Sequence, residues 1–232
     1  MSLINNVSAI LNSKIPLDDV VYLQNKPSYE DDLSILDVNW KTIIPPPPKN
    51  SSNQTARELK VVYQAVVSRT AREVELVKIV DQEPLDLFYN FLDKKKLAFP
   101  KQTFDEYYNI LEQYMYALKN YFNRPRPEQL APYHNIKLDI LYTDTHHTPA
   151  YPSGHAMYGA LAAHLLSDRY PQYRTQFFEL AKYCGYARIL QGVHYPSDNK
   201  VAFKATEVLF NSMKRRFEDE EKRQKFPVDR QS

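Results

Sequence analysis

From Thr55 onward, apolar residues recur at helical spacing: Leu59, Val62, Tyr63, Val66, Val74 and Val77. This is the stripe of a helix that turns one face to a core. Thr55-x-x-Glu58 reads as a capping box at its start. Pro84 precedes a second, aromatic-rich helix, expected over residues 85–93. Thr103-x-x-Glu106 reads as another capping box, opening a helix to residue 122 with Tyr107, Ile110, Leu111, Tyr114 and Leu118 along one side. Pro125 and Pro127 stop it, because proline removes a backbone donor and clashes with the preceding turn. Three more helices are expected, over residues 153–168, 171–190 and 197–217. No strand-like alternation interrupts them and no internal repeat is visible. The pattern predicts an all-α, single-domain bundle of six or more helices over residues 55–217.

The flanks read differently. Residues 1–54 look like an irregular arm, with prolines at 45–48 followed by the polar Lys49-Asn50-Ser51-Ser52-Asn53. A stiff connector wrapped over the domain is the expectation, in preference to a ligand for a partner. Residues 218–232 form a charged tail, in which Glu218/Lys222, Asp219/Arg223 and Glu221/Lys225 would support an exposed, solvated helix end. Residues 127–152 are expected to be a long loop carrying Asp144-Thr145-His146-His147.

Composition narrows the function classes. The 232 residues can bury one substantial core. The net charge of +2 and mean hydropathy of −0.56 give no global argument for nucleic acid, so anion binding must come from local placement of charge. Cys184 is the only cysteine, which excludes an intrachain disulfide and a cysteine-based zinc site. No basic-then-apolar leader opens the sequence, and no run approaches the roughly 18 apolar residues of a membrane span, so a soluble, cytoplasmic protein is the expectation. All four glycines and all six histidines fall between positions 134 and 194. Chemistry therefore belongs to the second half, and the first reads as scaffold.

Three clusters carry that chemistry. Lys119 and Arg126 stand seven apart, about two helical turns, so they are expected to share a face, with Pro125 and Pro127 fixing the backbone that presents Arg126. Arginine offers a planar fork to phosphate oxygens and lysine a point charge. Arg124 reads as a bystander, exposed to solvent. Pro152-Ser153-Gly154-His155 sits where a loop enters a helix: Ser153 suits the N-cap, Gly154 lets an oxyanion approach the main chain, and His155 lies in the first turn. Arg188, His194 and Asp198 form the third. Asp198 is expected to fold back on one imidazole nitrogen of His194 and leave the other as a nucleophile. Each cluster alone has a bland reading as a helix end or a surface pair. Their order and spacing point to one site for a tetrahedral anion.

The pattern Lys119-x6-Arg126-Pro127, Pro152-Ser153-Gly154-His155, Arg188-x5-His194-x3-Asp198 resembles the type 2 phosphatidic acid phosphatase superfamily. Within it, Tyr151, Gly185, Gly192 and Ser197 make the chain most similar to the soluble class A non-specific acid phosphatases, over roughly residues 105–213. Ala187 departs from the pattern, standing where the superfamily has serine. The resemblance implies a metal-independent phosphomonoester hydrolase. Lys119, Arg126 and Arg188 would neutralise the phosphoryl oxygens, and Ser153 and the Gly154 amide would add hydrogen bonds. His194 would attack phosphorus to form a phosphohistidine, oriented by Asp198. His155 would protonate the leaving alkoxide and then activate water. A neutral His194 and a protonated His155 imply a bell-shaped pH profile.

The same motif holds vanadate in the related vanadium haloperoxidases, so a vanadate-dependent haloperoxidase is one alternative. A non-catalytic phosphate-binding or structural protein keeping the fold is the other. No cofactor is expected, although vanadate or phosphate would suit the anion site. No metal is expected either: His146, His147, His155 and His194 lack nearby carboxylates in sequence, and the cations would repel a divalent ion. His146 and His147 are left between lining the pocket rim and capping a loop. The partner implied is a small phosphorylated substrate. Its leaving group is expected to be chosen by the 127–152 loop and the tyrosine-rich helices.

Overall fold

The computed structural model describes residues 16–22, 36 and 38–225, with side chains to 222. The expected irregular arm holds a 3₁₀ turn (Leu17–Asp19) and one helical turn (Trp40–Ile43), and the bundle itself begins with α1 (Asn53–Ser68) and α2 (Ala71–Gln82). The single apolar stripe read from residue 55 to 77 is thus broken at Arg69–Thr70. Thr70 opens α2 with a reciprocal capping box: its hydroxyl accepts from the Glu73 amide and the Glu73 carboxylate accepts from the Thr70 amide. Neither expected box forms. Ser52, three residues before Thr55, caps α1 at 3.2 Å, while the buried Thr55 hydroxyl donates to the Lys49 carbonyl and Glu58 turns inward to an arginine. Thr103 lies inside a helix that begins at Lys101.

After α3 (Asp86–Lys95), which ends on left-handed Lys96, comes α4 (Lys101–Phe122), which ends on left-handed Asn123. The expected loop holds a short helix, α5 (Pro127–Leu130), and a 3₁₀ turn at Ala131–His134. Then follow α6 (Gly154–Arg169), α7 (Arg174–Gln191) and α8 (Pro196–Lys225). The described residues contain no strand, so the all-α bundle stands.

α6 is the axis. It is buried on nearly every side from Ala156 to Ser167, as expected of a helix that is apolar all round. α7, α8 and α4 pack around it, with α2 outside α7. Small residues allow the close α6–α7 approach: a Cβ on Gly159 would fall 2.9 Å from the Cys184 sulfur and 3.2 Å from the Ala181 Cα. The long α8 absorbs the start of the charged tail, where Lys222 pairs with Asp219 at 3.6 Å. The Arg223 and Lys225 side chains, and with them two of the expected pairs, lie outside the described residues. The proline run lies against the domain, where the Tyr151 hydroxyl donates to the Pro45 carbonyl at 2.7 Å and the Asn50 amide donates to the Leu17 and Val20 carbonyls. Among the described residues no helix is long and apolar enough to cross a membrane.

Candidate active site

Five segments meet at one cavity of about 500 Å³: the end of α2, α4 from Tyr108 to Lys119, the connection from α4 to α6, the start of α6, and the α7–α8 turn. Lys119, on the last turns of α4, is buried and donates to the Pro149 carbonyl at 2.7 Å. Arg126 does not continue its helical face, because α4 ends at Phe122; it arrives on extended backbone instead. Its guanidinium is buried and donates to the Thr148 carbonyl (2.8 Å), the Val193 carbonyl (2.8 Å) and Nε2 of His194 (2.8 Å). Neither Lys119 nor Arg126 makes an ion pair among the described residues, although burial works against both charges and lowers both pKa values, that of Lys119 far below the usual lysine range.

Gly192, at φ 90°, ends α7 in the left-handed conformation and turns the chain so that His194 faces Arg126. Nδ1 of His194 lies 3.0 Å from Asp198 Oδ2. An arginine N–H can only donate, so Nε2 must accept and Nδ1 carries the proton given to Asp198. Burial, then Arg126, Lys119 and Arg188, hold the His194 pKa well below its ordinary value. The ring is therefore neutral, with its Nε2 lone pair directed into the cationic floor.

Asp198 is itself held on three sides. Its Oδ2 also accepts from the Tyr195 amide at 2.9 Å, and its Oδ1 accepts from Arg124 at 2.6 Å. Arg124 is not exposed: it is 2% accessible, spans Asp198, Ser197 (2.7 Å) and Glu58 (3.1 Å), and lies 3.9 Å over the Tyr195 ring. The Ser197 hydroxyl donates onward to Glu58 at 2.6 Å.

Ser153 caps α6 by accepting from the Ala156 amide at 3.4 Å, and its own amide donates to the Asp198 carbonyl at 3.2 Å, which ties the second cluster to the third. A Cβ on Gly154 would lie 2.8 Å from the Met115 sulfur, so close packing against α4 accounts for glycine there independently of any ligand. His155 lines the cavity, where the Asp81 main chain favours its charged form. Burial, then Arg188, Arg126 and Lys119, push its pKa well below the usual value. Burial and the cations together therefore oppose the protonated state that an acid role needs, and a dianion bound among the cations would offset their share.

Arg188 reaches the site from α7 and pairs with the Asp81 carboxylate, while Nη2 donates to Thr145 Oγ1 at 2.9 Å. Asp81 also accepts from the Thr143 hydroxyl at 2.6 Å. Ala187, the departure from the superfamily pattern, is buried in the apolar core. Support for Arg188 thus comes from Asp81 and Thr145. Sequence reasoning missed Asp81 and Glu58. Asp81 stands 107 positions from Arg188, and no local signal links them. The two neighbouring histidines divide the roles left open: His147 lines the cavity, whereas His146 faces its loop, with Nδ1 2.5 Å from the Thr143 carbonyl. Among the described residues no three His, Cys, Asp or Glu side chains are grouped as a metal site.

The three clusters, from Lys119 to Asp198, fall within residues 107–219, the stretch that matches the model of the PAP2 superfamily, whereas Glu58 and Asp81 lie before it. Among solved structures, the chain is similar to a transmembrane PAP2-type phosphatidylglycerolphosphate phosphatase from Bacillus subtilis, at 17% identity over 73% of this chain and 89% of that one, with a TM-score of 0.52. It is also similar to the first bacterial vanadium-dependent iodoperoxidase, at 18% identity over 86% of this chain, with a TM-score of 0.60, and spans 62% of that protein's length. No curated protein matches the sequence. The chain therefore shares its fold with a membrane phosphatase and a haloperoxidase, and its second half matches the PAP2 superfamily model.

Proposed function

We propose that this protein is a metal-independent, acid-phosphatase-like phosphomonoester hydrolase that works through a phosphohistidine. The observation that carries the reading is the pairing of a neutral His194, its Nε2 lone pair free of any proton, with two buried cations that make no ion pair among the described residues. Such cations are stabilised by a bound dianion, and phosphoryl transfer depends mostly on positioning and charge stabilisation. Arriving phosphate draws the Arg126 N–H from Nε2 to its own oxygens and uncovers the nucleophile. Nε2 then forms the bond to phosphorus as the ester P–O bond breaks. The alkoxide takes its proton from His155, protonated once the dianion is bound. Neutral His155 next accepts a proton from water, whose oxygen attacks phosphorus and releases Nε2. Asp198 keeps the His194 proton on Nδ1 throughout. p-Nitrophenyl phosphate hydrolysis in EDTA is expected to fall by at least about 10³-fold in His194→Ala; equal rates in the two proteins would sink the assignment.

The likeness to the iodoperoxidase, which covers more of this chain, favours a second reading. Vanadate has the shape and charge of phosphate, and His194, Lys119, Arg126, Arg188, Ser153 and the Gly154 amide would hold it. Bound there, it would supply peroxide activation for halide oxidation. Iodide oxidation that requires added vanadate and peroxide, with no hydrolysis of p-nitrophenyl phosphate without vanadate, would select this reading over the first.

A further inference from the structure

The cavity is much larger than its anion floor. At about 500 Å³ it is the size of a pocket that encloses a whole small ligand, so a phosphoryl group fills only the bottom of it. Above the floor the lining changes character. Tyr108, Met115 and Tyr116 come from the α4 face that also carries Lys119, and Tyr158 comes from α6, one turn beyond His155. Tyr108 and Tyr158 meet edge to face with centroids 4.7 Å apart, which fixes both rings in the wall. Burial, together with the Glu112 carboxylate that accepts from its hydroxyl, raises the Tyr108 pKa, so this wall stays neutral.

Charge reverses from floor to mouth. Lys119 and Arg126 are the only lysine or arginine among the described lining residues, and both lie at the floor. Glu83 and Asp144 also line the cavity and, half-buried and exposed respectively, lie nearer solvent than the buried cations. Neutral donors hold each carboxylate: the Leu85 amide reaches Glu83 at 3.0 Å and the Tyr142 hydroxyl reaches Asp144 at 2.8 Å. Burial and then the charge of Glu83 raise the Tyr158 pKa, so this carboxylate acts electrostatically on the aromatic wall that lines the same cavity. Once a dianion has compensated the floor, these two carboxylates remain the uncompensated charges facing the rest of the ligand.

We infer that the upper cavity takes a cationic leaving group: the substrate is a phosphate monoester of an amino alcohol, its ammonium seated between the tyrosines and Glu83. Tyrosine faces attract an ammonium through their quadrupole, and a nearby carboxylate adds to that attraction. A second phosphate on the ligand would be repelled by the same carboxylates. The inference rests on the phosphate reading of the floor.

The test separates the two by measuring binding apart from turnover. Calorimetry on His194→Ala, with His194→Gln as a second variant, compares phosphocholine with 3,3-dimethylbutyl phosphate, its uncharged isostere. Phosphocholine is expected to bind about 3- to 30-fold more tightly, with the gap narrowing when Glu83→Gln is added. Equal binding, tighter binding of the isostere, or a gap that Glu83→Gln leaves unchanged would overturn the inference. p-Nitrophenyl phosphate turnover by the wild-type protein reports separately on the hydrolase reading.

Discussion

Arg124 and Arg126 stand two residues apart, both buried to within 2% of full enclosure, yet their surroundings are opposite. Arg124 is matched to two carboxylates, a serine hydroxyl and a tyrosine face. Arg126 hydrogen-bonds to carbonyls, a threonine hydroxyl and the His194 lone pair, and makes no ion pair among the described residues, although the Glu128 carboxylate acts on its charge. A buried cation with full partners does structural work, holding Asp198 and through it the His194 ring. A buried cation without an ion pair keeps much of its desolvation cost, which suits it to the anion-binding role proposed for Arg126.

Substituting each arginine should separate the two roles. Arg126→Ala is expected to lower kcat/KM for p-nitrophenyl phosphate by about 10³-fold, the scale of losing one strong transition-state donor. Its effect on urea unfolding should be the smaller of the pair, because relief of an uncompensated charge opposes the loss of hydrogen bonds to Thr148 and Val193. Arg124→Ala should reverse the emphasis. Stripping the partner from buried Asp198 and Glu58 is expected to cost about 3–5 kcal/mol in urea unfolding. A stability loss in Arg126→Ala as large as that in Arg124→Ala would break the comparison.

Asp81→Asn sharpens it on the third cation. Removing this carboxylate leaves Arg188 without its ion pair, while the Asp81 main chain beside His155 remains. Inorganic phosphate should then inhibit at about 3- to 10-fold lower concentration, since Asp81 no longer competes for the guanidinium. The turnover rate should fall as Arg188 loses its orientation.

The smallest expected effect is on pH-dependent stability. Both His155 and His194 have native pKa values driven well below the ordinary value. Below about pH 6.5 the unfolded chain takes up protons that the native site refuses, so stability is present above that pH and declines as pH falls through it. Saturating phosphate should flatten the decline in urea titrations, because a dianion raises both native pKa values. A profile unchanged by phosphate would show that the cations do not govern these histidines.

The long helices were legible because each carries its own signal. α4 shows Tyr107, Ile110, Leu111, Tyr114 and Leu118 on one side, and α6 opens where Ser153 can cap it. Their starts were less legible. Thr55-x-x-Glu58 has the composition of a capping box, but the chain was already helical at Asn53, and Glu58 was taken by Arg124, 66 positions away. The true box at Thr70 and Glu73 was passed over because the apolar stripe ran through it. At the site, residue types and spacing placed His194 and Asp198 together, since four positions at a helix start bring two side chains within reach. Arg124 was misread because nothing within its own segment shows a carboxylate coming from α1.

By itself, the sequence determined the helical class, the order of the three clusters, and the His194–Asp198 pair. These depend on periodicity and short spacing, which act over a few residues. Only the tertiary structure decided which arginine is compensated, that Asp81 supports Arg188 where Ala187 cannot, and that tyrosines and carboxylates line the cavity above the cations. Those outcomes depend on distance and dielectric between segments far apart in the chain. Burial turns a modest surface interaction into a decisive one only where the fold brings such groups together.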